Sequence, residues 1–144
     1  MISVELALAL RAAGLSWTPQ PGDRFVLPHR GMDAEVFVLS DMTVEVHDFP
    51  SGSVIGFNGV TEWALDSVQA DEALWLPAEG QLRDLLGALF RRLTAVPSPD
   101  GAAASFEATV VVAGEARTFT AGDAVHAYGQ ALLAVLTDLR GDPA

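Results

Sequence analysis

The sequence predicts an α+β fold in which helices pack against a single antiparallel sheet. Half of the 144 residues are apolar, which is enough to build one core despite a net charge of -11. Short segments alternate apolar and polar residues between turns, and longer segments repeat apolar residues at helical spacing. We therefore expect one domain over residues 1–144, with the order helix, three or four strands, helix, two strands, helix.

The first element is predicted to be a helix over residues 4–13. Ser3 can cap its amino end, Glu5 lies in its first turn, and Gly14 follows as a stop. The segment is apolar almost all round, which is typical of a helix that is buried or that packs against a partner.

Three or four strands are predicted next, after a connector over residues 17–23 that contains prolines and a glycine. Residues 34–40 are apolar on both faces of their strand. By contrast, residues 42–48 alternate cleanly and place Glu45 and His47 on the polar face. Turns are expected at Ser40-Asp41 and Asn58-Gly59. The predicted strands cover residues 24–27, 34–40, 42–48 and 53–57.

A longer helix is predicted to begin at the Leu76-Pro77 boundary, because proline suits the first helical position. Its apolar residues recur at intervals of three and four, which is the spacing of one helix face. They are Leu82, Leu85, Leu86, Leu89, Phe90 and Leu93. The preceding residues 61–68 fit neither period well and are interpreted as a short helix.

The last part of the chain predicts a hairpin followed by a helix. Strands over residues 104–112 and 115–120 flank the turn residues Ala113-Gly114. Thr120 and Asp123 match a capping box at the start of the final helix. The buried face of that helix is predicted to consist of Val125, Tyr128, Leu132, Val135, Leu136 and Leu139.

The charge pattern limits the classes of partner. The chain has 19 acidic and 8 basic side chains, and all the basic ones are scattered arginines apart from the pair Arg91-Arg92. Nucleic-acid binding depends on clustered cations, so we expect neither nucleic acid nor an anionic membrane as a partner. Without cysteine no disulfide or zinc knuckle is expected, and no cofactor is predicted. Glu5 lies where a signal peptide carries basic residues, which favours a cytoplasmic location.

The best catalytic or metal-binding candidates are Glu45 and His47, two residues apart on one strand face. With His29 or Asp48 nearby they could form a metal site or a general base. The alternative, which we favour, is that they lie on the solvated face of an antiparallel strand. His126 is likewise interpreted as an ordinary half-exposed side chain at the start of a helix rather than as a catalytic base.

The three tryptophans lie beside irregular segments. Trp63 and Trp75 are either contact residues for a partner or part of the core, whereas Trp17 is interpreted as a core residue. The complete set of candidate binding residues is Trp63, Trp75, Glu45, His47 and Arg83.

The segments FNGVTEWALDSV (57–68), ALWLP (73–77) and QLRDLLG (81–87) give the chain a resemblance to an uncharacterised family of small bacterial proteins. The resemblance covers residues 42–93 and implies no activity, because that family has no established substrate or catalytic residues. Ala78 and Gly80 stand where the family usually has more polar residues. A pilus-assembly role is not expected, because no nucleotide-binding loop or membrane segment is present.

In element order, size and acidity the chain is also similar to the small acidic chaperones of bacterial secretion systems. This resemblance implies a dimer that holds an unfolded segment of a partner. It rests on these general features and on no sequence motif.

Two functions are expected from these patterns. The first is a non-enzymatic module, chaperone-like or regulatory and homodimeric, that binds a protein or peptide partner through the first helix and the region of Trp63 and Trp75. The alternative is a small enzyme or metal-dependent hydrolase centred on Glu45 and His47. A third possibility, a nucleic-acid mimic, requires carboxylates aligned along one face.

Overall fold

The computed structural model describes residues 1–28, 32–39, 45–49, 52–56, 67–69, 73–101 and 103–139. These residues form three helices and nine strands, which confirms the predicted α+β class. Within the described ranges the strands form three separate antiparallel sheets of three strands each, so the prediction of a single sheet is wrong. Periodicity identifies strands but does not say which strands pair, and the division into sheets is therefore not visible in it.

The helices are α1 (Val4–Ala12), α2 (Glu79–Leu86) and α3 (Ala124–Leu139). The strands are β1 (Arg24–Leu27), β2 (Met32–Val38), β3 (Glu45–Phe49), β4 (Gly52–Gly56), β5 (Ser67–Gln69), β6 (Leu74–Leu76), β7 (Phe90–Val96), β8 (Ser105–Val112) and β9 (Glu115–Ala121). The chain divides into two compact units, unit 1 with Met1–Leu15 and Pro77–Ala144, and unit 2 with Ser16–Leu76. The expectation of a single domain over residues 1–144 stays a prediction.

Unit 1 contains a sheet in the order β7-β8-β9 with helices on one face. α3 packs against β8 and β9, and both α1 and α2 pack against α3. Ala108 and Val110 of β8 are fully buried on this face. Alternate residues of a strand point to opposite faces, so the other face carries mostly polar side chains. That face includes Arg92, Thr94, Glu107, Thr109, Thr118 and Thr120.

Helix α1 has the caps that its sequence predicts and ends one residue earlier than predicted, at Ala12. The Ser3 hydroxyl accepts a hydrogen bond from the amide of Leu6 at 3.1 Å, which confirms Ser3 as the N-cap. At the other end the amides of Gly14 and Leu15 donate to the carbonyls of Arg11 and Leu10, which is the Schellman pattern. These end contacts fix the length of α1 at nine residues.

The contact between α1 and α3 depends on Gly129. A Cβ atom at this position would lie 2.5 Å from Leu6 Cδ2 and 3.6 Å from Ile2 Cδ1. The missing side chain therefore allows α1 to pack directly on the α3 backbone, which buries Ala7 and Leu10 of α1.

The helix predicted from the stripe between Leu82 and Leu93 is shorter in the structure. α2 ends at Leu86, a single 3₁₀ turn follows, and Phe90 and Leu93 lie in strand β7. Gly87 has φ 55° and ψ -130°, a conformation in which a helix cannot continue and which suits glycine alone. A bulge between Phe90 and Arg92 spaces the inward residues Phe90 and Leu93 three apart, so this strand mimics a helical stripe.

The hairpin of β8 and β9 is confirmed, with Ala113 at φ 53° and Gly114 at φ 82° in its turn. The predicted capping box is wrong, because Thr120 still belongs to β9. The N-cap of α3 is Asp123 itself, whose Oδ1 accepts a hydrogen bond from the amide of His126 at 2.8 Å.

Unit 2 contains two sheets, in the orders β2-β1-β6 and β3-β4-β5. The helix interpretation of residues 61–68 is wrong at Ser67 and Val68, which lie in β5, and residues 61–66 lie outside the described residues. β5 and β6 each have three residues, too few for an alternating pattern to show. The predicted turns at Ser40-Asp41 and Asn58-Gly59 also lie outside the described residues.

The pairing of β1 with β2 is strongly irregular. Phe25 pairs with Phe37 and Leu27 pairs with Met32, so a single residue of β1 stands opposite residues 33–36 of β2. Such a bulge interrupts the ladder and bends the strand away from its neighbour.

The turn at Ala113-Gly114 gives a prediction for stability. Two successive residues with positive φ form the type I′ turn, in which asparagine is strongly preferred and alanine is strained. We expect Ala113→Asn to raise the free energy of unfolding by about 0.5–1 kcal/mol in urea denaturation. Gly114→Ala is the control and should lower it; a stabilising Gly114→Ala would contradict the assigned turn.

Candidate functional site

A row of aromatic residues crosses the sheet β2-β1-β6. Phe25 pairs with Phe37 on one side and with Trp75 on the other, so the three lie on the same face. The ring of Trp17 stacks on Trp75 at 6.4 Å between centroids and contacts Phe25 at 5.6 Å. Phe25 and Phe37 stack at 5.4 Å. We call these four residues the aromatic cluster.

The buried carboxylate of Asp23 fixes Trp17 and the connector before β1. Asp23 Oδ2 accepts hydrogen bonds from Trp17 Nε1 at 2.9 Å and from the amide of Gln20 at 3.0 Å. The amide of Leu39 donates to the Asp23 carbonyl, which joins the connector to the residue that follows β2. Asp23 is only 3% exposed, so these bonds replace the water it has lost.

Trp75 differs from Trp17 in its polar atom. Its indole Nε1 is buried and has no hydrogen-bond partner among the described residues, whereas that of Trp17 is bonded. An unpartnered buried donor costs about 1–3 kcal/mol, so the contribution of Trp75 comes from stacking and packing alone. The structure thus places Trp75 in the aromatic cluster, and Trp63 lies outside the described residues.

The outer strand β2 exposes two of its apolar residues. Val36 is 39% exposed and Val38 is 58% exposed, and both belong to the strand predicted to be apolar on both faces. Phe37 between them is covered by its stack on Phe25. We call Val36 and Val38 the valine patch. A strand that is apolar on both faces is typical of a position covered on both sides, and here one side is open.

Glu45 and His47 occupy alternate positions of β3, and their side chains lie outside the described part of the structure. In the sheet β3-β4-β5 their rows continue through Gly56 and Ser67, and through Val54 and Gln69, respectively. No third carboxylate or imidazole lies in these two rows. Among the residues that the structure describes, no group of three His, Cys, Asp or Glu could hold a metal ion.

Arg83 lies on α2 in unit 1, and its guanidinium carbon is 5.0 Å from the centroid of the Phe90 ring. Phe90 in turn contacts Tyr128 of α3 at 5.5 Å. Burial raises the pKa of the Tyr128 hydroxyl, and the positive charge of Arg83 opposes part of that shift. In this setting Arg83 connects α2 to the core of unit 1.

His126 joins the amino ends of α1 and α3. Its Nε2 accepts a hydrogen bond from the amide of Ser3 at 3.1 Å, so the proton resides on Nδ1, which lies 2.7 Å from Asp123 Oδ1. Both ring nitrogens are therefore engaged in structural contacts. This agrees with the interpretation of His126 as a half-exposed structural side chain; a catalytic base would need a free nitrogen.

Burial alone would raise the pKa of Asp123, but the hydrogen bonds from the amide and ring of His126 outweigh it. The pKa of Asp123 is therefore lowered from its ordinary value of 3.8. The charged carboxylate also lies at the positive end of the α3 dipole, which favours the same ionised form.

Comparison of the chain with protein-family models, with curated proteins and with solved structures finds no match in any of the three. The resemblance over residues 42–93 therefore stays a prediction, as does the similarity to secretion chaperones. None of the helices in the described ranges has both the length and the hydrophobicity needed to cross a membrane.

The valine patch is not among the binding residues predicted from the sequence. The available signal was the run of apolar residues on both faces of residues 34–40, which predicts two covered faces. The pattern does not show that this strand is an outer strand of its sheet. Nor does it show the bulge that interrupts the pairing of β2 near Val36.

The two half-buried tryptophans of the aromatic cluster give a matched pair of variants. Trp17→Phe and Trp75→Phe remove the same atoms, but only Trp17→Phe removes a hydrogen bond that the indole donates to the buried Asp23. We expect Trp17→Phe to cost about 2 kcal/mol more in urea denaturation. A loss for Trp75→Phe that equals or exceeds the loss for Trp17→Phe would contradict the expected contribution of the hydrogen bond to Asp23.

The contacts of Asp123 predict a pH dependence of stability. A lowered pKa in the folded state means that the ionised carboxylate stabilises the fold above about pH 4, and that this contribution is lost as the pH falls through the lowered value. We expect Asp123→Asn to cost about 0.5–1 kcal/mol at pH 7 and almost nothing at pH 2. Chemical denaturation at both pH values, with Asp84→Asn at an exposed position of α2 as the control, measures the difference. A difference in the free energy of unfolding between the wild-type chain and Asp123→Asn that does not change with pH would contradict the prediction.

Proposed function

We propose that the chain is a non-enzymatic interaction module that binds a protein or peptide partner through the valine patch of unit 2. The supporting observation is that Val36 and Val38 are 39% and 58% exposed, whereas Phe37 between them is covered by its stack on Phe25. The remaining expectations, a cytoplasmic location and no cofactor, form part of the same proposal.

The free energy available from burying the valine patch limits the affinity that the patch alone can give. Covering the exposed parts of Val36 and Val38 removes roughly the surface of one valine, worth on the order of 2 kcal/mol. A micromolar complex needs about 8 kcal/mol, so the patch can only be the apolar centre of a larger contact. The bulge offers a second element, because residues 33–36 face a single residue of β1 and cannot all pair with it.

The net charge of the chain favours a neutral or basic partner. The whole chain carries a net charge of -11, although the residue beside the patch is the exposed Arg24, which pairs with Val38. A basic segment would therefore be attracted at long range and then held by apolar and backbone contacts. Behind the patch, the aromatic cluster supplies a rigid support for β2, which is the role we assign to Trp75.

The alternative of an enzyme centred on Glu45 and His47 stays a prediction. The rows of the β3-β4-β5 sheet bring these positions next to glycine, valine, serine and glutamine residues, a set that adds neither a charge nor a strong metal ligand. The geometry thus gives that alternative less support than the valine patch gives the interaction module.

The proposal predicts that a double variant, Val36→Ser with Val38→Ser, keeps the fold and loses the partner. Because both side chains are already exposed, we expect a change of less than about 1 kcal/mol in stability. Affinity capture from the native cells should give a stoichiometric protein with the wild-type chain. Affinity for that purified partner should then fall at least tenfold in the double variant.

Leu85→Ser is the matched control, since Leu85 is an exposed apolar residue of unit 1 at 44%. It should leave the affinity unchanged. A partner that binds wild type, double variant and control equally well would overturn the assignment of the valine patch, and turnover of a small molecule abolished by Glu45→Gln would favour the alternative.

A further inference from the structure

We infer that unit 1 carries a self-association surface, in which β9 pairs antiparallel with β9 of a second copy and Thr118 lies on the two-fold axis. This inference is independent of the valine patch, because all its residues belong to unit 1. It identifies an edge of the β7-β8-β9 sheet where the sheets of two copies join into one of six strands.

β9 is an unprotected edge of its sheet. It is an outer strand of its sheet and pairs with β8 without a bulge from Phe106↔Ala121 to Val112↔Glu115. Its sequence, EARTFTA, contains no proline and no lysine. Outer strands that are long and regular in this way are templates for pairing with another strand.

The other edge strand of the same sheet, β7, is protected against such pairing. β7 has a bulge between Phe90 and Arg92 and carries the adjacent charges of Arg91 and Arg92. Arg91 Nη1 donates to the carbonyls of Ala88 and Phe90, which holds the side chain along the strand start. Bulges and charged side chains are the usual protections of an edge, and β7 has both while β9 has neither bulge nor adjacent charges.

β9 is also accessible to a second chain. The four residues from Glu115 to Thr118 are all exposed, and so is Thr120. α3 packs on the face of β9 that carries Phe119, so the helix covers a face of the strand and not its outer edge. Another strand can therefore approach along the whole of β9.

The sequence of β9 is complementary to itself in the antiparallel direction. With Thr118 opposite itself, all seven residues of β9 pair, and Arg117 stands opposite Phe119 of the second copy. Within one chain the guanidinium of Arg117 lies 5.4 Å from the centroid of Phe119 and forms an ion pair with Asp138 at 2.7 Å, so its charge is balanced on the helix side of the sheet. The pairing places Arg117 of each copy beside Phe119 of the other, on either side of the axis.

The other residues fit as well. Glu115 stands opposite Ala121 and Ala116 opposite Thr120, so no like charges meet. The hydroxyls of Thr109 and Thr118 lie 3.0 Å apart, and the new pair continues this row of threonines from β8 into the second copy.

Neighbouring registers are poorer. A two-fold axis at Arg117 would set two guanidinium groups opposite each other, and an axis at Phe119 would leave Glu115 and Ala116 of both copies unpaired. In a register centred between two residues, the helix-covered face of one sheet would lie on the same side as the exposed face of the other. Only the register centred on Thr118 uses the whole strand without a charge conflict.

Electrostatics at longer range opposes association, because each copy carries a net charge of -11. β9 itself contains one Glu and one Arg and is neutral, so the repulsion comes from the rest of the chain. Salt screens distant charges more than contacts at the strand pair. Association should consequently strengthen when the ionic strength is raised.

The chain has no cysteine, which permits a disulfide test of the register. In the proposed pairing the Cα atoms of Thr118 and its copy lie about 4.5–5.5 Å apart, within reach of a disulfide, whereas Ala116 and its own copy are about 14 Å apart. We expect Thr118→Cys to form covalent dimers under mild oxidation. Ala116→Cys and Thr120→Cys should do so only when mixed with each other.

Thr94→Cys, on the exposed outer strand β7, is the matched control and should remain monomeric in the disulfide assay. Dimers of Ala116→Cys or Thr120→Cys alone would overturn the register. Equal cross-linking of Thr94→Cys and Thr118→Cys would overturn the surface altogether.

Charge variants test the same surface without oxidation. By sedimentation equilibrium we expect the wild-type chain to dimerise and Thr118→Lys to weaken dimerisation about tenfold or more, because two like charges then meet on the axis. An equimolar mixture of Thr118→Lys and Thr118→Glu should restore the dimer. Thr94→Lys should behave as wild type. A monomeric wild-type chain at every concentration, or a dimer unaffected by Thr118→Lys, would overturn the inference.

Discussion

Burial of α3 on nearly all sides is the constraint on which unit 1 depends. α1, α2, β8 and β9 all pack against this one helix, and its residues Ala127, Ala131 and Leu132 are buried. A helix with so many neighbours needs small residues where they come closest, and Gly129 and the alanines meet this need. The polar contacts are confined to its ends, where Asp123 caps the helix and His126 connects it to α1.

The aromatic cluster has a comparable role in the β2-β1-β6 sheet of unit 2. Three of its rings come from three different strands, and the fourth, Trp17, is fixed by the buried carboxylate of Asp23. Stacked rings and a satisfied charge make one side of this sheet rigid. The same rigidity holds Val36 and Val38 in an exposed position, which is a condition for a preformed contact surface.

Local signals in the sequence predict much of this fold. Ser3, Gly14 and the turn at Ala113-Gly114 act through short-range contacts, and the structure confirms each of them. The apolar stripe after Leu82 misleads for two reasons. Gly87 with its positive φ ends α2, and the bulge in β7 keeps Phe90 and Leu93 at helical spacing although they lie in a strand. Strands of three residues, the division into three sheets and the exposure of β2 are set by distant parts of the chain, so no local pattern contains them. For the candidate site, the sequence indicates the aromatic residues but not which apolar residues stay uncovered.

The order of the elements along the chain has a consequence for folding kinetics. Unit 1 is assembled from both ends of the sequence, and the contact between Ser3 and His126 spans 123 residues. Contacts of such high sequence separation require closure of a long loop before they contribute, whereas the β8-β9 hairpin closes over two residues. We therefore expect the hairpin and α3 to form the folding nucleus and α1 to dock last. In the native protein, α1 would then be the element whose amide hydrogens exchange by the smallest opening event in unit 1.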